Sequence, residues 1–253
     1  MDEIEVSRVS RAIRTAVAAA VSHASRMQIV RGLADAGVHL DRLCDDGSSA
    51  LRALRDFRPD LLVADAFLPG MDGQSLAKHA LCSFELPVRP AVLLLYDGHY
   101  PLPEGEYLRR HGAALLNHCA SLTDFISAVE RLRSEEICFT DRELQSAAML
   151  LDALGVPEHL GRDCLKLAVL FCAVDQRLER RMGAQLYPKV GEACGVSARQ
   201  VERSIRHVID LAWRSDKFDN QYRIFADTVD AGRGQPTCGE MILRLADILR
   251  LEG

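Results

Sequence analysis

The chain has no apolar stretch approaching the roughly 20 residues that cross a bilayer, so no membrane segment is expected. Its Ala-rich piece at 15–21, downstream of Arg11 and Arg14, is too weakly apolar for a secretory signal and reads better as a strand. The eight cysteines, at 44, 82, 119, 138, 164, 172, 194 and 238, form no C-x-x-C pair and no Cys-His cluster at zinc spacing. They are expected to be reduced thiols, several of them in cores, in a cytoplasmic protein. No P-loop motif or nucleophile-base pairing is found, so the chain is expected not to be an enzyme and to need no cofactor. A basic excess is missing too: the formal charge is −5, with 15 Lys/Arg against 17 Asp/Glu in residues 1–133 and 16 against 19 in 134–253. That balance excludes a protein that coats nucleic acid indiscriminately. Two further gaps are local: no acid lies between Glu5 and Asp35, and no lysine between Lys78 and Lys166.

What is present is a soluble-type composition, 48% hydrophobic and 26% charged, on 253 residues, enough for two domains with real cores. In the first half short apolar runs alternate with helix-period segments: 13–21 then 26–36, 38–43 then 47–57, 60–65 then 73–82, 90–96 then 104–111, 113–118 then 122–133. This alternation predicts an α/β domain at 1–133, a five-stranded parallel sheet of flavodoxin-like type wrapped by helices. Pro101 and Pro103 fall where the fourth helix would begin and are expected to delay it. A charged stretch reads as a linker at 134–150. From 151 to 253 the chain reads as an all-α domain, with helices near 162–180, 186–194, 198–213 and 239–251. The protein is therefore expected to be multidomain.

The third apolar run ends in "LLVADAFLPGMDG", residues 61–73, with a single acid, Asp65, before a Pro-Gly turn. In open α/β sheets chemistry lies at the strands' carboxyl ends. The pattern resembles the phosphoacceptor strand of bacterial response-regulator receiver domains. That resemblance implies an acidic pair after strand one that holds magnesium with the acceptor, a Thr or Ser after strand four and a Lys after strand five. The matching positions here are Ala20 and Val21, Tyr96, and His118. The two local gaps make the loss of the acids and of the lysine independent of register. Asp45 and Asp46 follow strand two and read as turn and helix-cap residues. Asp65 thus has two readings: a phosphate acceptor without a normal metal site, or a vestigial carboxylate held by loop amides. The missing electrostatic helpers favour the second.

In the second half Val190, Gly195, Val196, Val201 and Ile205 carry helix-turn-helix spacing, with Gly in the turn and Ser197 as the next N-cap. On a helical wheel of 198–213, Val201, Ile205, Val208 and Ala212 share one face. Arg199, Arg203 and Arg206 crowd the other, flanked by Gln200, His207 and Glu202. Residues 177–217 hold nine basic side chains against five acidic ones, so a polyanion contact is expected there. Arg, Gln and Glu are the side chains that pair guanine, adenine and cytosine edges, whereas a solvated face of Glu-Arg pairs is the bland alternative.

"LGVP", "LYPKV", "VERSIRHVIDLAW" and "ILRLADILRLE" resemble the effector domain of the stage-zero sporulation master regulator family, the response regulators that end the sporulation phosphorelay. The resemblance implies sequence-specific binding of double-stranded DNA by the second helix of the motif, homodimers on paired boxes, and contacts to RNA polymerase or its sigma factor. By the same resemblance Glu202 and Arg203 match positions that read bases, Arg206 and His207 match the Arg-His that follows, and Gln200 replaces an operator-touching arginine, with Arg199 one position early. Arg214 and Lys217 are candidate phosphate contacts. Trp213 is expected to cap the core, and Ile242, Leu245, Ile248 and Leu249 to form a packing face. The expected function is a sporulation-regulator-like transcription factor with a pseudo-receiver domain. The alternative is an interaction module that antagonises an intact paralogue or a phosphorelay partner.

Overall fold

A computed structural model of the protein describes residues 12–100, 102–134, 139–215, 217–225 and 234–252; Pro101, Cys138 and part of the expected linker lie outside them. The chain divides into two units near residue 138.

In the first unit the five apolar runs become strands β1 (Thr15–Ala19), β2 (His39–Cys44), β3 (Leu61–Asp65), β4 (Ala91–Tyr96) and β5 (Ala113–Asn117). They pair in parallel in the order β2-β1-β3-β4-β5. Helices α1 (His23–Asp35), α2 (Gly47–Phe57), α3 (Gly73–Cys82), α4 (Gly105–Arg110) and α5 (Leu122–Ser134) follow them in turn. Central β3 is buried at every position, as a parallel strand covered on both faces must be. Because side chains alternate along a strand, Leu61 and Val63 pack with Ile29, Leu33, Phe125 and Val129 of α1 and α5. Leu62 and Ala64 pack with Ala50, Leu54, Leu76 and Ala80 of α2 and α3. Asp65, next in line, is delivered to the carboxyl edge of the sheet.

Helix starts follow their caps. Asp46 accepts from the Ser49 amide at 2.8 Å and opens α2, and Asp72 accepts from the Gln74 and Ser75 amides and opens α3. Ser22 accepts from the Ser25 amide at 3.0 Å, so α1 begins at His23, three residues ahead of the expected start at 26. Helix α4 begins only after Pro103.

The second unit is helical: α6 (Asp141–Ala153), α7 (Leu160–Val174), a 3-10 segment (Gln176–Arg181), a π segment (Met182–Leu186), α8 (Tyr187–Cys194), α9 (Ala198–Ala212), α10 (Phe218–Phe225) and α11 (Cys238–Glu252). Residues 141–150, expected in the linker, are instead the body of α6. Thr140 and Glu143 close a reciprocal capping box at its start, and α6 packs on α7 and α11. The helix expected at 162–180 stops at Val174, because Asp175 turns its side chain to the Arg177 amide and starts the tighter 3-10 turn. Helix α10 was absent from the expected set. Helix α7 is buried over nearly its whole circumference and is the axis on which α6, α8, α9 and α11 pack.

Two guanidiniums, one buried and one partly so, tie this packing together. Arg162, 7% exposed, donates to the Val156 carbonyl at 2.7 Å and to Asp152 at 2.6 Å, and pairs with Glu158 at 3.2 Å. Arg250 of α11 donates to the Cys172 carbonyl at the end of α7 at 2.8 Å and to the carboxylates of Glu179 and Asp247, the favourable placement for a cation at a helix carboxyl terminus. Replacing Arg162 by Ala strands the Val156 carbonyl out of water and should cost about 2–4 kcal/mol. The expected result is a lower urea midpoint in circular dichroism of the full chain, with Arg162→Lys recovering only part of the loss; an unchanged midpoint in Arg162→Ala would show that the fork contributes nothing.

Candidate functional site

Asp65 ends β3 at the carboxyl edge of the first sheet, and its side chain is 9% exposed. Three groups meet it. The Ser25 hydroxyl donates to Oδ1, the Val21 amide donates to Oδ2 at 3.3 Å, and His118 Nε2 lies 3.6 Å from Oδ1. Local folding places each of them. The Ser22 cap brings Ser25, itself buried, inward on the first turn of α1. Strand β5 ends at Asn117, and the His118 amide bonds the Tyr96 carbonyl at 2.9 Å, which fixes the imidazole beside the β3 edge.

Burial pushes the Asp65 carboxyl above the ordinary carboxylate range, opposed by the Ser25 hydroxyl, the charge of His118 and the Val21 amide. The other positions singled out by sequence carry no oxygen ligand. Ala20 is fully buried in the apolar layer of α1 and α5, with its amide on the Cys44 carbonyl at 3.1 Å. Val21 turns an aliphatic side chain to solvent, and Tyr96 packs half-buried against the opposite layer. Magnesium demands several oxygens in octahedral array. One carboxylate with a serine and an imidazole does not fit it, and among the described residues no group of three His, Cys, Asp or Glu side chains could hold a metal ion. The sequence reading passes over Ser25, 40 residues from Asp65, and treats His118 only as a lost lysine.

The second candidate surface is α9, with α8 before it. Gly195 takes φ 68° at the end of α8, a left-handed turn that a side chain would resist. The Ser197 hydroxyl then accepts from the Gln200 amide at 3.3 Å and starts α9. Val201, Ile205, Val208 and Ala212 are buried as the wheel requires, and Ile209 joins them. Arg199, Gln200, Arg203, Arg206 and His207 are exposed and Glu202 is half-buried. Arg214 and Lys217, beyond the helix, are exposed as well. Glu202 and Arg206 pair at 2.6 Å, worth only about 0.3–0.5 kcal/mol at such exposure. A bidentate base contact discriminates by roughly 1–3 kcal/mol, so the pair is cheap to break. The His207 ring meets that of His159, the N-cap of α7, edge-on at 5.4 Å, a neighbour that sequence spacing does not reveal. Trp213 stands edge-on to buried Phe225 with ring centroids 5.5 Å apart. In α11, Ile242, Leu245 and Leu249 are buried and Ile248 is partly so.

The Asp65 geometry sets a sign for its titration. Folded protein takes up this proton at higher pH than the unfolded chain does, so the ionised carboxylate costs stability from about pH 4 upward, increasingly until its own raised pKa is passed. Ser25→Ala removes the largest opposing donor and should move the Asp65 carboxyl further up, widening that window. The carboxyl carbon shift of Asp65 followed by NMR across pH checks both statements; titration below the unfolded value in the unmodified protein would refute the reading.

Residues 147–249 match the family model described as the C-terminal domain of sporulation initiation factor Spo0A. Solved structures similar to the first unit include the signal receiver domain of the response regulator NarL from Mycobacterium tuberculosis, 28% identical over 49% of this chain and 98% of that one, with TM-score 0.42. The chemotaxis response regulator CheY4 of Vibrio cholerae is 22% identical over 48% of this chain and 99% of its own, with TM-score 0.40. The fold assignment rests on the parallel strand order itself, that of the flavodoxin-like doubly wound sheet. The chain thus joins a parallel sheet of that order to a C-terminal region similar to the Spo0A C-terminal domain.

Proposed function

We propose that the protein is a sporulation-type transcription regulator that binds double-stranded DNA through α9 and whose Asp65 site does not run magnesium-dependent phosphoryl transfer. The observation that carries the reading is the outward row of Arg199, Gln200, Arg203, Arg206 and His207 on a helix-turn-helix second helix, within a match to the Spo0A C-terminal domain. Arg203 and Glu202 reach base edges, Gln200 shifts operator preference, and Arg214 and Lys217 hold phosphates. Binding as a homodimer on paired boxes and contact with RNA polymerase follow from the same likeness. At the receiver-like unit, the carboxylate of Asp65 is met by Ser25, Val21 and His118, a set with no second acid to help hold the cation that phosphoryl transfer uses. Control then passes to a binder that prefers one arrangement of that edge.

A second reading, an interaction module that captures an intact paralogue or relay partner, draws on the Glu202–Arg206 pair, which spends part of the positive face on the protein itself. Gel retardation separates the two. Unphosphorylated protein should retard DNA bearing a sporulation-type box, and Arg203→Ala should weaken this by about ten- to a hundredfold, the equivalent of one lost bidentate contact. Lys217→Ala should weaken all sequences alike and lower the salt slope by about one. Absence of retardation, with capture of the paralogue, would favour the second reading. Incubation with a small-molecule phosphodonor and magnesium should leave the intact mass unchanged; a stoichiometric phosphoryl gain that vanishes in Asp65→Ala would sink the proposal for the receiver-like unit.

A further inference from the structure

His159 is exposed at the start of α7, and its Nδ1 accepts from the Gly161 amide at 3.0 Å. A ring nitrogen that accepts carries no proton, so this bond fixes both the tautomer and the plane of the imidazole. The start of α7 is in turn seated on α9. At Gly161 a Cβ would fall 2.2 Å from the Ser204 carbonyl oxygen and 2.7 Å from Cγ1 of Val208, so the helices meet there with no room for a side chain. Ser204 and Val208 bracket His207 along α9, and the same seating brings the two imidazoles together edge-on, with centroids 5.4 Å apart and planes at 63°. His207 belongs to the outward row of Arg199, Gln200, Arg203 and Arg206. An exposed side chain on a helix samples several rotamers, and binding in one of them forfeits that freedom. A neighbour that holds the ring beforehand removes part of this cost.

We propose that His159 is a positioning residue for DNA recognition: its imidazole, locked by the Gly161 amide, holds the His207 ring in the orientation it takes to DNA, without touching DNA itself. The inference rests on the reading of α9 as the DNA-binding helix. The choice of side chain supports it. Ser, Thr, Asp and Asn are the preferred caps and would satisfy the Gly161 amide as well or better. An imidazole also satisfies that amide and, unlike them, turns an aromatic edge to His207. The partner of Arg206 is Glu202 on its own helix, one turn away, whereas His159 ties His207 to a different helix and so fixes the ring relative to the fold.

The test uses His159→Asn, because an Asn side chain caps the same amide and offers no ring; His159→Ser is the second variant of the same kind. Full-length protein, each variant, His207→Ala and the double variant His159→Asn/His207→Ala are compared by gel retardation on a sporulation-type box. Methylation and ethylation interference map the contacts, and thermal melts by circular dichroism check folding. His159→Asn should weaken binding about two- to tenfold, the range of an edge-on aromatic pair. It should alter the footprint at the same nucleotide as His207→Ala and cost nothing further in the His207→Ala background, the mark of a residue that acts through another. In the free unmodified protein a nuclear Overhauser contact between the two imidazoles is expected. Unchanged affinity in both folded His159 variants, losses that add in the double variant, a footprint change at a different nucleotide, absence of the ring-to-ring contact, or a loss of affinity that only follows a lowered melting temperature would each overturn the positioning role. Failure of the unmodified protein to retard any DNA would instead sink the reading of α9 on which the role rests.

Discussion

A carboxylate at the end of a strand buried on both faces has to be met by donors or surrender its charge. That constraint organises the carboxyl edge of the first unit's sheet. Strand β3 delivers Asp65 there because every residue before it is committed to one or other apolar layer. The Ser22 cap starts α1 early enough to aim Ser25 inward, and the end of β5 leaves His118 facing the same oxygen. A hydroxyl, an amide and an imidazole thus meet the one carboxylate. Such an arrangement satisfies a carboxylate; it offers little to a developing phosphoryl charge.

In the helical unit the corresponding constraint is α7, apolar nearly all round and so unable to exist except inside other helices. At its start Arg162, on its own first turn, holds the Val156 carbonyl, and at its end Arg250 of α11 holds the Cys172 carbonyl. Helix α9 lies across α7 on Val201, Ile205, Val208 and Ile209, which leaves its arginines outward for purely geometric reasons. The outward face is therefore a by-product of packing, crossed by the weak Glu202–Arg206 pair.

The parts of this fold visible in the sequence are those specified locally. Helices α2 and α3 run over 47–57 and 73–82 as read, because an Asp cap marks each start. Helix α9 is legible from its period and from Ser197. Helix α6 was hidden by the charges around it, although Thr140 and Glu143 carry a capping-box signal that outweighs them. Helix α10, eight residues long, spans too few turns to show a period, and the tightening after Asp175 has no periodic signature. The least legible features are contacts between distant residues: Ser25 with Asp65 and His159 with His207. A wheel or a spacing rule carries no information about which turn of one helix will face which turn of another.

Between α7 and α8 the chain tightens and then loosens its winding, and in the π segment the Tyr187 amide reaches back to the Met182 carbonyl. An extra residue is accommodated there, and it sets the angle at which α8 departs. Each α-helical residue advances the phase by about 100°, so shortening this stretch by one position would swing Val190 and everything after it away from the α7 surface. Gly183, Ala184 and Gln185 face solvent and touch little. What this stretch contributes is its count of residues, a ruler in which length matters and spelling hardly does.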